Sequence, residues 1–167
     1  DLEFESQNNL KFDDYIQMIN YKTAVLLASS LKMGGIINNA SETDLKSLYQ
    51  IGLNMGTAFQ IQDDLLDVFG DKSSMGKNPG GDIYKNKKTA LTILAKENNS
   101  QKWSEFIRKH SKLSEYQSYF KKNNLKVEVE KVVKHYINKA NTALASAPEA
   151  DKQYLQNFTS MVLKRKF

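Results

Sequence analysis

The sequence contains no cysteine and only two histidines, His110 and His135. The absence of cysteine excludes disulfide scaffolds, thiolate zinc sites and cysteine nucleophiles, and it favours a reducing, cytoplasmic location. Two histidines leave little for a histidine-rich metal centre. Two prolines and eight glycines among 167 residues, with 40% hydrophobic and 26% charged residues, exclude collagen-like and wholly disordered chains.

Long hydrophobic runs are also missing. No apolar stretch approaches the roughly 20 residues needed to cross a bilayer, and the first residues are acidic where a signal peptide is basic. We therefore expect a soluble, unprocessed protein with no stable membrane insertion. The length suits one domain or a piece of a larger one, so residues 1–167 are treated as a single segment.

The net charge of +5 hides a division along the chain. Residues 1–70 hold ten acids and four lysines, a balance of −6, whereas residues 71–167 hold nine acids and twenty lysines or arginines, a balance of +11. A basic half suits nucleic acid, an anionic surface or phosphorylated small molecules. Its lysines alternate with acids and apolar residues at helical spacing, which indicates solvated helix faces, so we expect no nucleic-acid binding.

Apolar residues recur at spacings of three and four, which predicts an all-α fold. A first helix is predicted over residues 12–33, ended by Gly34-Gly35. A second is predicted from Ser41, which forms a capping box with Asp44, to Gly70. Residues 70–86 are rich in glycine, lysine and aspartate and are predicted to form a loop. Further helices are predicted over residues 87–98, 100–109, 112–122, 125–146 and 149–165. Residues 127–129 suit either a strand or the helix predicted over residues 125–146.

Three acids, Asp63, Asp64 and Asp67, lie on the second helix, which is apolar on the side opposite Asp63 and is therefore expected to be largely buried. Asp63 and Asp67 are one turn apart and project to the same side. Mg²⁺ relieves their repulsion, because it takes carboxylate oxygens and shares its coordination with waters and phosphates. Gly52 and Gly56 are expected to leave room for a ligand on this face. Alternatively, the acids pair with surface lysines at a frayed helix end.

Lysines accompany these acids. Lys22 interrupts the apolar face of the first helix, and Thr23 follows it. In one interpretation the ammonium group and the hydroxyl both point into a cavity. In the other, the lysine reaches the surface and the hydroxyl bonds to the preceding turn. The loop contributes Lys77, Asp82 and Lys87. Beside a metal cluster its lysines would bind phosphate as point charges; alternatively, all three residues belong to a flexible surface loop.

Together these residues resemble the trans-isoprenyl diphosphate synthases, the polyprenyl synthetase family that includes farnesyl and geranylgeranyl diphosphate synthases. The resemblance spans most of residues 1–95 in the same order and spacing. Its matching segments are Tyr21-Lys22-Thr23-Ala24, GTAFQIQDDLLDVFGD from Gly56 to Asp71, Gly76-Lys77, Gly81-Asp82-Ile83 and Asn86-Lys87.

The resemblance implies an all-α helical bundle of the isoprenoid synthase type around a central cavity, usually in a homodimer. It implies Mg²⁺-dependent condensation of isopentenyl diphosphate with an allylic diphosphate, with release of pyrophosphate. It also implies a role for each residue of the matching segments. Asp63, Asp64 and Asp67 would bind the metal, with Asp63 the direct ligand and Asp82 beside it, and Lys22, Lys77 and Lys87 would bind the diphosphate. Thr23 and Gln60, with Lys22, would stabilise the reacting carbons, and Phe59 would pack against the isopentenyl tail.

The chain departs from the family in one respect. The family's first aspartate-rich motif is absent, and Asp13-Asp14 does not replace it because Gln17 stands where that motif has its third aspartate. The sequence therefore resembles the C-terminal half of a synthase, and we expect this half to be inactive alone. The loop from Lys77 to Asp82 is one residue longer than in some relatives, which leaves the placement of its lysines open.

Two other functions compete with this interpretation. A class I terpene cyclase has a similar helical cavity and metal chemistry, but Phe59-Gln60 and the lysine loop favour the synthase. A non-catalytic partner subunit of another prenyl synthase fits the missing motif. Such a subunit would not need the retained Asp63, Asp67, Lys22 and Lys77, which argue against it.

Overall fold

A computed structural model describes Phe4, Gln7 and residues 9–71, 78–145 and 149–164. Within these residues the regular structure is entirely helical, which confirms the predicted all-α fold, and no strand forms. The helices are α1 (Phe12–Ile19), α2 (Val25–Ile37), α3 (Glu42–Phe69), α4 (Gly81–Tyr84), α5 (Ala90–Asn98), α6 (Ser100–Lys109), α7 (Leu113–Lys122), α8 (Leu125–Ala145) and α9 (Glu149–Lys164). In the described part of the chain, no helix has the length and apolar character that a membrane crossing requires.

A π-helical turn, Asn20–Ala24, separates α1 from α2. The N–H of Val25 donates to the carbonyl of Asn20, an i→i+5 bond that makes this turn wider than an α-helical one. The wider turn shifts the register of every later side chain. The single α-helical face predicted across residues 12–33 is therefore wrong, and Leu26, placed on its buried side, is 73% exposed.

The predicted stop at Gly34-Gly35 is also wrong, because α2 continues to Ile37. Its end is set by Asn39, whose φ of 55° lies in the left-handed region. The N–H of Asn39 donates to the Ile36 carbonyl (3.0 Å) and that of Ala40 to the Gly35 carbonyl (2.9 Å), which is the Schellman pattern. Asparagine thus ends this helix in the way that glycine usually does.

Helix α3 begins and ends close to the predicted positions. The Asp44 N–H donates to Ser41 Oγ (3.1 Å), while the Ser41 hydroxyl donates to Asp44 Oδ2 (2.7 Å), so the predicted Ser41 cap is confirmed. At the other end, the Gln117 side-chain amide donates to the Val68 carbonyl at 2.7 Å. This bond satisfies a carbonyl that the last turn of a helix leaves unpaired.

The chain divides into two compact units. The first comprises residues 1–18, 61–131 and 166–167, and the second comprises residues 19–60 and 132–165. In the first unit, aromatic rings join α6 to α7: Trp103 stacks on Phe120 with ring centroids 5.8 Å apart, and Phe106 lies 4.3 Å from Tyr119. Aromatic burial of this kind is a large hydrophobic contribution, so these two short helices are held as a pair.

The second unit has an aliphatic core and an unusually close helix crossing. Its core consists of Leu48, Ile51, Met55, Ala140, Leu144 and Leu155, with Leu27, Leu31 and Ala143 packed against it. Where the helices cross, a Cβ on Gly52 would lie 2.5 Å from the Cα of Ala28, and a Cβ on Gly56 would lie 2.6 Å from the Cα of Ala24.

The expectation that Gly52 and Gly56 leave room for a ligand is therefore wrong. The space beside both glycines is filled by the backbone of Ala24 and Ala28, because small residues let two helices approach closely. The sequence pattern identified a face without side chains, but another helix covers it.

We expect Gly52→Ala and Gly56→Ala each to destabilise the protein by about 1–3 kcal/mol or more, because backbone atoms must move to admit the methyl group. Urea unfolding followed by circular dichroism will measure the change. Gly34→Ala is the matched control: this exposed helical glycine has nothing within 4 Å of the added carbon, and its replacement should stabilise by up to about 1 kcal/mol. Equal effects of the three substitutions would contradict the close crossing.

Candidate functional site

The last two turns of α3 in the first unit carry the three aspartates. Asp64 and Asp67 are 6% and 2% exposed, whereas Asp63 is half-buried. The predicted burial of this acidic segment is confirmed. Burying a carboxylate costs free energy unless hydrogen-bond donors compensate its charge, so the burial of Asp64 and Asp67 depends on the donors that reach them.

Asp64 is satisfied by two donors from distant parts of the sequence. Its Oδ2 accepts the hydroxyl of Tyr15 at 2.8 Å and the backbone N–H of Ala90 at 3.0 Å, and both bonds are buried. Ala90 is the first residue of α5, where a negative charge is favoured by the helix dipole. Asp64 therefore holds α1 and α5 to the end of α3.

Tyr15 is 1% exposed, and its pKa lies well above the ordinary 10.0. The main cause is burial, which disfavours the phenolate; the charge of Asp64, the hydrogen bond to Asp64 and the charges of Asp63 and Asp82 act in the same direction. The hydroxyl therefore keeps its proton and remains a donor to Asp64.

Asp67 holds the end of the loop that follows α3. Its Oδ2 accepts the backbone N–H of Asp82 at 2.9 Å, and its backbone carbonyl accepts the N–H of Gly80. Gly80 has a φ of +89°, and a Cβ there would lie 3.1 Å from side-chain atoms of Leu113 and Tyr84. Glycine at this position lets the chain turn sharply into α4 and bring two amides onto Asp67.

Lys87 lies at the outer edge of this group. Its Nζ is 2.6 Å from Oδ1 of Asp82, and its backbone N–H donates to the Asp82 carbonyl at 2.9 Å. The pKa of Lys87 is raised, mainly by the hydrogen bond to Asp82. Burial, the second-largest effect, lowers this pKa, and the charges of Asp82, Asp67 and Asp64 raise it. The structure thus joins Asp67, Asp82 and Lys87 in a hydrogen-bonded series at the end of α3. Asp64 and half-buried Asp63 lie one turn earlier on the same helix.

These residues suit a hard divalent cation, since carboxylate oxygens are what Mg²⁺ prefers and half-buried Asp63 is open to solvent on one side. Among the described residues, no three acidic or histidine side chains converge closely enough to hold a metal by themselves. One or two carboxylates are sufficient where waters and phosphates complete the coordination. Asp64 as a metal ligand stays a prediction, since the Tyr15 hydroxyl and the Ala90 N–H already donate to its Oδ2.

The remaining candidate residues belong to the second unit. The Thr23 hydroxyl donates to Oε1 of Gln60 at 3.0 Å, so the two side chains predicted to act near the reacting carbons are in contact. Both are half-buried, as is Phe59, whereas Lys22 is exposed on the π-helical turn. Of the two alternatives for Lys22, the structure shows the one in which its side chain reaches the surface.

Asn20, on the same turn, accepts the hydroxyl proton of buried Thr57 through Oδ1. Since Thr57 lies on α3 three residues before Gln60, this bond ties the turn to the helix that carries Gln60. Lys77, the third predicted diphosphate ligand, lies outside the described residues.

Sequence reasoning missed Tyr15 and the Ala90 N–H as partners of the acidic segment. Tyr15 was recognised only as an apolar member of the α1 pattern, and a backbone amide carries no residue signature. The one available signal was chemical: a buried tyrosine hydroxyl requires a polar partner.

Comparison with known proteins gives a consistent result. The model of the polyprenyl synthetase family matches residues 1–125. Geranylgeranyl diphosphate synthase of Saccharolobus solfataricus is 37% identical over 77% of this chain and 45% of its own length. The crystal structure of geranylgeranyl pyrophosphate synthetase from Pyrococcus horikoshii superimposes with a TM-score of 0.89 at 34% identity, covering 99% of this chain and 53% of that one.

A further solved structure, geranylgeranyl pyrophosphate synthase from Corynebacterium glutamicum complexed with isoprenyl diphosphate and magnesium, has a TM-score of 0.87 and 26% identity over 99% of this chain and 50% of that one. The chain therefore spans about half the length of the relatives it matches. Their fold confirms the isoprenoid-synthase type of helical architecture.

We expect Tyr15→Phe to destabilise the protein by about 1–3 kcal/mol, because it removes one of two donors from a buried carboxylate. Chemical unfolding will measure the loss, and Tyr154→Phe, whose side chain is 78% exposed, is the matched control with an expected effect near zero.

The same pair tests the pKa of Tyr15. A pKa raised on folding contributes stability that is fully present below pH 10, the unfolded value, and is lost as the pH rises through the folded value. The stability difference between the native protein and Tyr15→Phe should therefore shrink above pH 10. A difference that stays constant or grows there would exclude a buried, protonated Tyr15.

Proposed function

Because the chain belongs to the polyprenyl synthetase family, we propose that it is the diphosphate-ionising half of a prenyltransferase. The reaction joins isopentenyl diphosphate head-to-tail to an allylic diphosphate and releases pyrophosphate. The observation that carries the proposal is the contrast in burial at the end of α3: Asp64 and Asp67 are buried and hydrogen-bonded, while neighbouring Asp63 is only half-buried and so reaches solvent.

Asp63 is the side chain that we propose to bind Mg²⁺ directly, and Asp67, whose Oδ2 accepts the Asp82 amide, would assist it. When bound, Mg²⁺ would neutralise the negative charge that develops on the departing pyrophosphate. Magnesium with isoprenyl diphosphate in the Corynebacterium glutamicum structure supports this choice of metal.

Lys87, Lys22 and Lys77 are the proposed diphosphate ligands. Lys87 is charged at neutral pH, as an ordinary lysine is, and the hydrogen bond to Asp82 raises its pKa further. Its ammonium group is half-exposed and paired with a single carboxylate at 2.6 Å. A diphosphate carries more negative charge than that carboxylate, so it would draw Lys87 away from Asp82 when it binds.

Thr23 and Gln60 are proposed to stabilise the reacting carbons. The Thr23 hydroxyl gives its proton to Gln60, which leaves the oxygen lone pairs of Thr23 for a developing positive charge. Half-buried Phe59, one residue before Gln60, would pack on the isopentenyl tail.

We also propose a homodimer. Leu26, Met33 and Ile37 follow one another at spacings of seven and four residues along α2 and are 73%, 60% and 77% exposed. An exposed apolar stripe of this kind is typical of a surface that another protein surface covers.

Calorimetric titration with geranyl diphosphate, with and without MgCl₂, tests the role of Asp63. We expect Mg²⁺-dependent binding, weakened by about 10–100-fold or more in Asp63→Asn because a metal-binding carboxylate is lost. Glu42→Gln is the matched control, since it removes an exposed acid from the first turn of the same helix and should leave binding unchanged. Binding of equal strength in Asp63→Asn would contradict the proposed metal ligand.

Incorporation of labelled isopentenyl diphosphate tests the reaction. The 167-residue chain alone should show no turnover, because Asp63-Asp64-Leu-Leu-Asp67 is its only DDxxD motif. A chimera that joins it to the unmatched N-terminal half of the Saccharolobus solfataricus relative should turn over and should lose at least about 100-fold in rate with Asp63→Asn.

Turnover by the isolated chain would contradict its inactivity. A helical chimera, verified by circular dichroism, that makes no product would contradict the proposed reaction and favour a non-catalytic partner subunit. The product distinguishes the last alternative, since a synthase yields a longer diphosphate whereas a terpene cyclase yields a hydrocarbon or alcohol.

A further inference from the structure

The paired helices α6 and α7 of the first unit border a groove of about 280 Å³, on residues that the proposed function does not use. Two kinds of side chain dominate its lining. These are aromatic rings and lysines: Phe106, His110 and Tyr119, with Lys102, Lys109 and Lys122. This α6–α7 groove therefore places cations beside an aromatic wall.

The aromatic wall is continuous. The ring centroid of Phe106 lies 4.3 Å from that of Tyr119 and 4.6 Å from that of His110. All three residues are half-buried, so part of each ring reaches the groove. Such rings bind a further planar ring by offset stacking or by edge-to-face contact.

Lys102 is held at this wall by neutral partners. Its Nζ donates to Oδ1 of Asn123 at 2.7 Å and lies 5.9 Å from the ring centroid of Tyr119. Asn123 is fixed in turn, because its side-chain amide donates to the Tyr119 carbonyl at 2.8 Å. An amide oxygen and a ring face thus position the ammonium group of Lys102 without cancelling its charge.

The lining carries more positive than negative charge. Within the part of the chain that the structure describes, none of Lys102, Lys109 and Lys122 forms an ion pair. Glu105 supplies the only carboxylate among the described lining residues, and its Oε1 accepts a hydrogen bond from the side-chain amide of Gln101 at 3.1 Å. Three ammonium groups therefore stand against one carboxylate.

Glu115, which is bonded to His110, does not reverse this balance. Its Oε1 lies 3.0 Å from Nδ1 of His110, and its Oε2 accepts the N–H groups of Ser111 and Lys112 at 3.1 and 2.9 Å. The hydrogen bond to His110 is the main reason why the pKa of Glu115 is lowered to about 2, so this carboxylate is charged at neutral pH. With Glu115 included, three ammonium groups still exceed two carboxylates.

We propose that the α6–α7 groove binds a small aromatic anion, in which a phosphate or carboxylate group is carried on a planar ring system. The anionic group binds the ammonium group of Lys102 and is attracted by Lys109 and Lys122, since lysines act on phosphates and carboxylates as point charges. The ring system packs against Phe106 and Tyr119. A volume slightly below the roughly 300–1,000 Å³ of drug-sized sites limits the occupant to a small molecule.

This site is separate from the metal and diphosphate chemistry assigned to the end of α3. No residue of the groove has a role in that chemistry, so the inference stands whether or not the proposed reaction is correct.

Calorimetric titration of the 167-residue chain tests the proposal with four probes. Two are aromatic anions, 1-naphthyl phosphate and 2-naphthoate. Neutral 2-naphthol keeps the ring without the charge, and inorganic phosphate keeps the charge without the ring. We expect saturable binding of naphthyl phosphate, naphthoate or both, and binding of naphthol and of inorganic phosphate that is weaker by about tenfold or more. The stronger of the two aromatic anions identifies the anionic group.

Substitutions locate the binding site. Lys102→Gln should weaken binding of the aromatic anions by about tenfold, because the new amide can still bond to Asn123 but carries no charge. Lys109→Glu reverses a charge at an exposed position, where folding tolerates it, and should weaken binding by about 100-fold or more. Lys121→Gln is the matched control: it removes an exposed lysine whose Nζ lies 5.8 Å from the ring centroid of Phe69, outside the groove, and should bind as the native protein does.

Four results would overturn the proposal. The first is the absence of binding by both aromatic anions, and the second is equal binding of either aromatic anion and of naphthol or inorganic phosphate. The third is unchanged affinity in Lys102→Gln and Lys109→Glu whose circular dichroism matches that of the native protein. The fourth is an equal loss of affinity in Lys102→Gln and Lys121→Gln, which would assign the binding to the overall charge of the helix pair.

Discussion

The burial of carboxylates at the end of α3 is the constraint that organises the first unit. Asp64 and Asp67 are almost inaccessible to water, and an uncompensated charge in that position would cost several kcal/mol. Compensation comes from the Tyr15 hydroxyl of α1 and from two backbone amides, that of Asp82 in α4 and that of Ala90 at the first residue of α5. The positions of these elements follow from the need to supply donors, and the left-handed Gly80 is part of that supply.

The neighbouring aspartates therefore have different roles. Asp64 and Asp67 fix the backbone around them, whereas half-buried Asp63 keeps access to solvent. Fixed neighbours restrict the positions that Asp63 can adopt, and a metal ligand held in place binds with less loss of conformational entropy. The same sequence motif thus serves folding through Asp64 and Asp67 and, in the proposed function, metal binding through Asp63, although its three acids look equivalent in the sequence.

Sequence periodicity predicted the helices well because each buries an apolar stripe, and it located the acidic segment correctly. It failed at Asn20–Ala24, since a helical wheel assumes a constant turn and a π-helical turn violates that assumption. It also failed at Gly52 and Gly56, because a wheel identifies a face but not what covers it. The Tyr15–Asp64 and Ala90–Asp64 bonds join residues 49 and 26 positions apart, and no local pattern encodes such pairings.

The hydrogen bonds and ion pairs around the end of α3 differ in the free energy needed to break them. The bonds to Asp64 are buried, so breaking them leaves a carboxylate without its donors and is expensive. The Lys87–Asp82 pair is half-exposed, and pairs of that kind contribute only about 0–1 kcal/mol. In the proposed function, an incoming diphosphate would therefore separate Lys87 from Asp82 at little cost, while Asp64 keeps α1 and α5 in place.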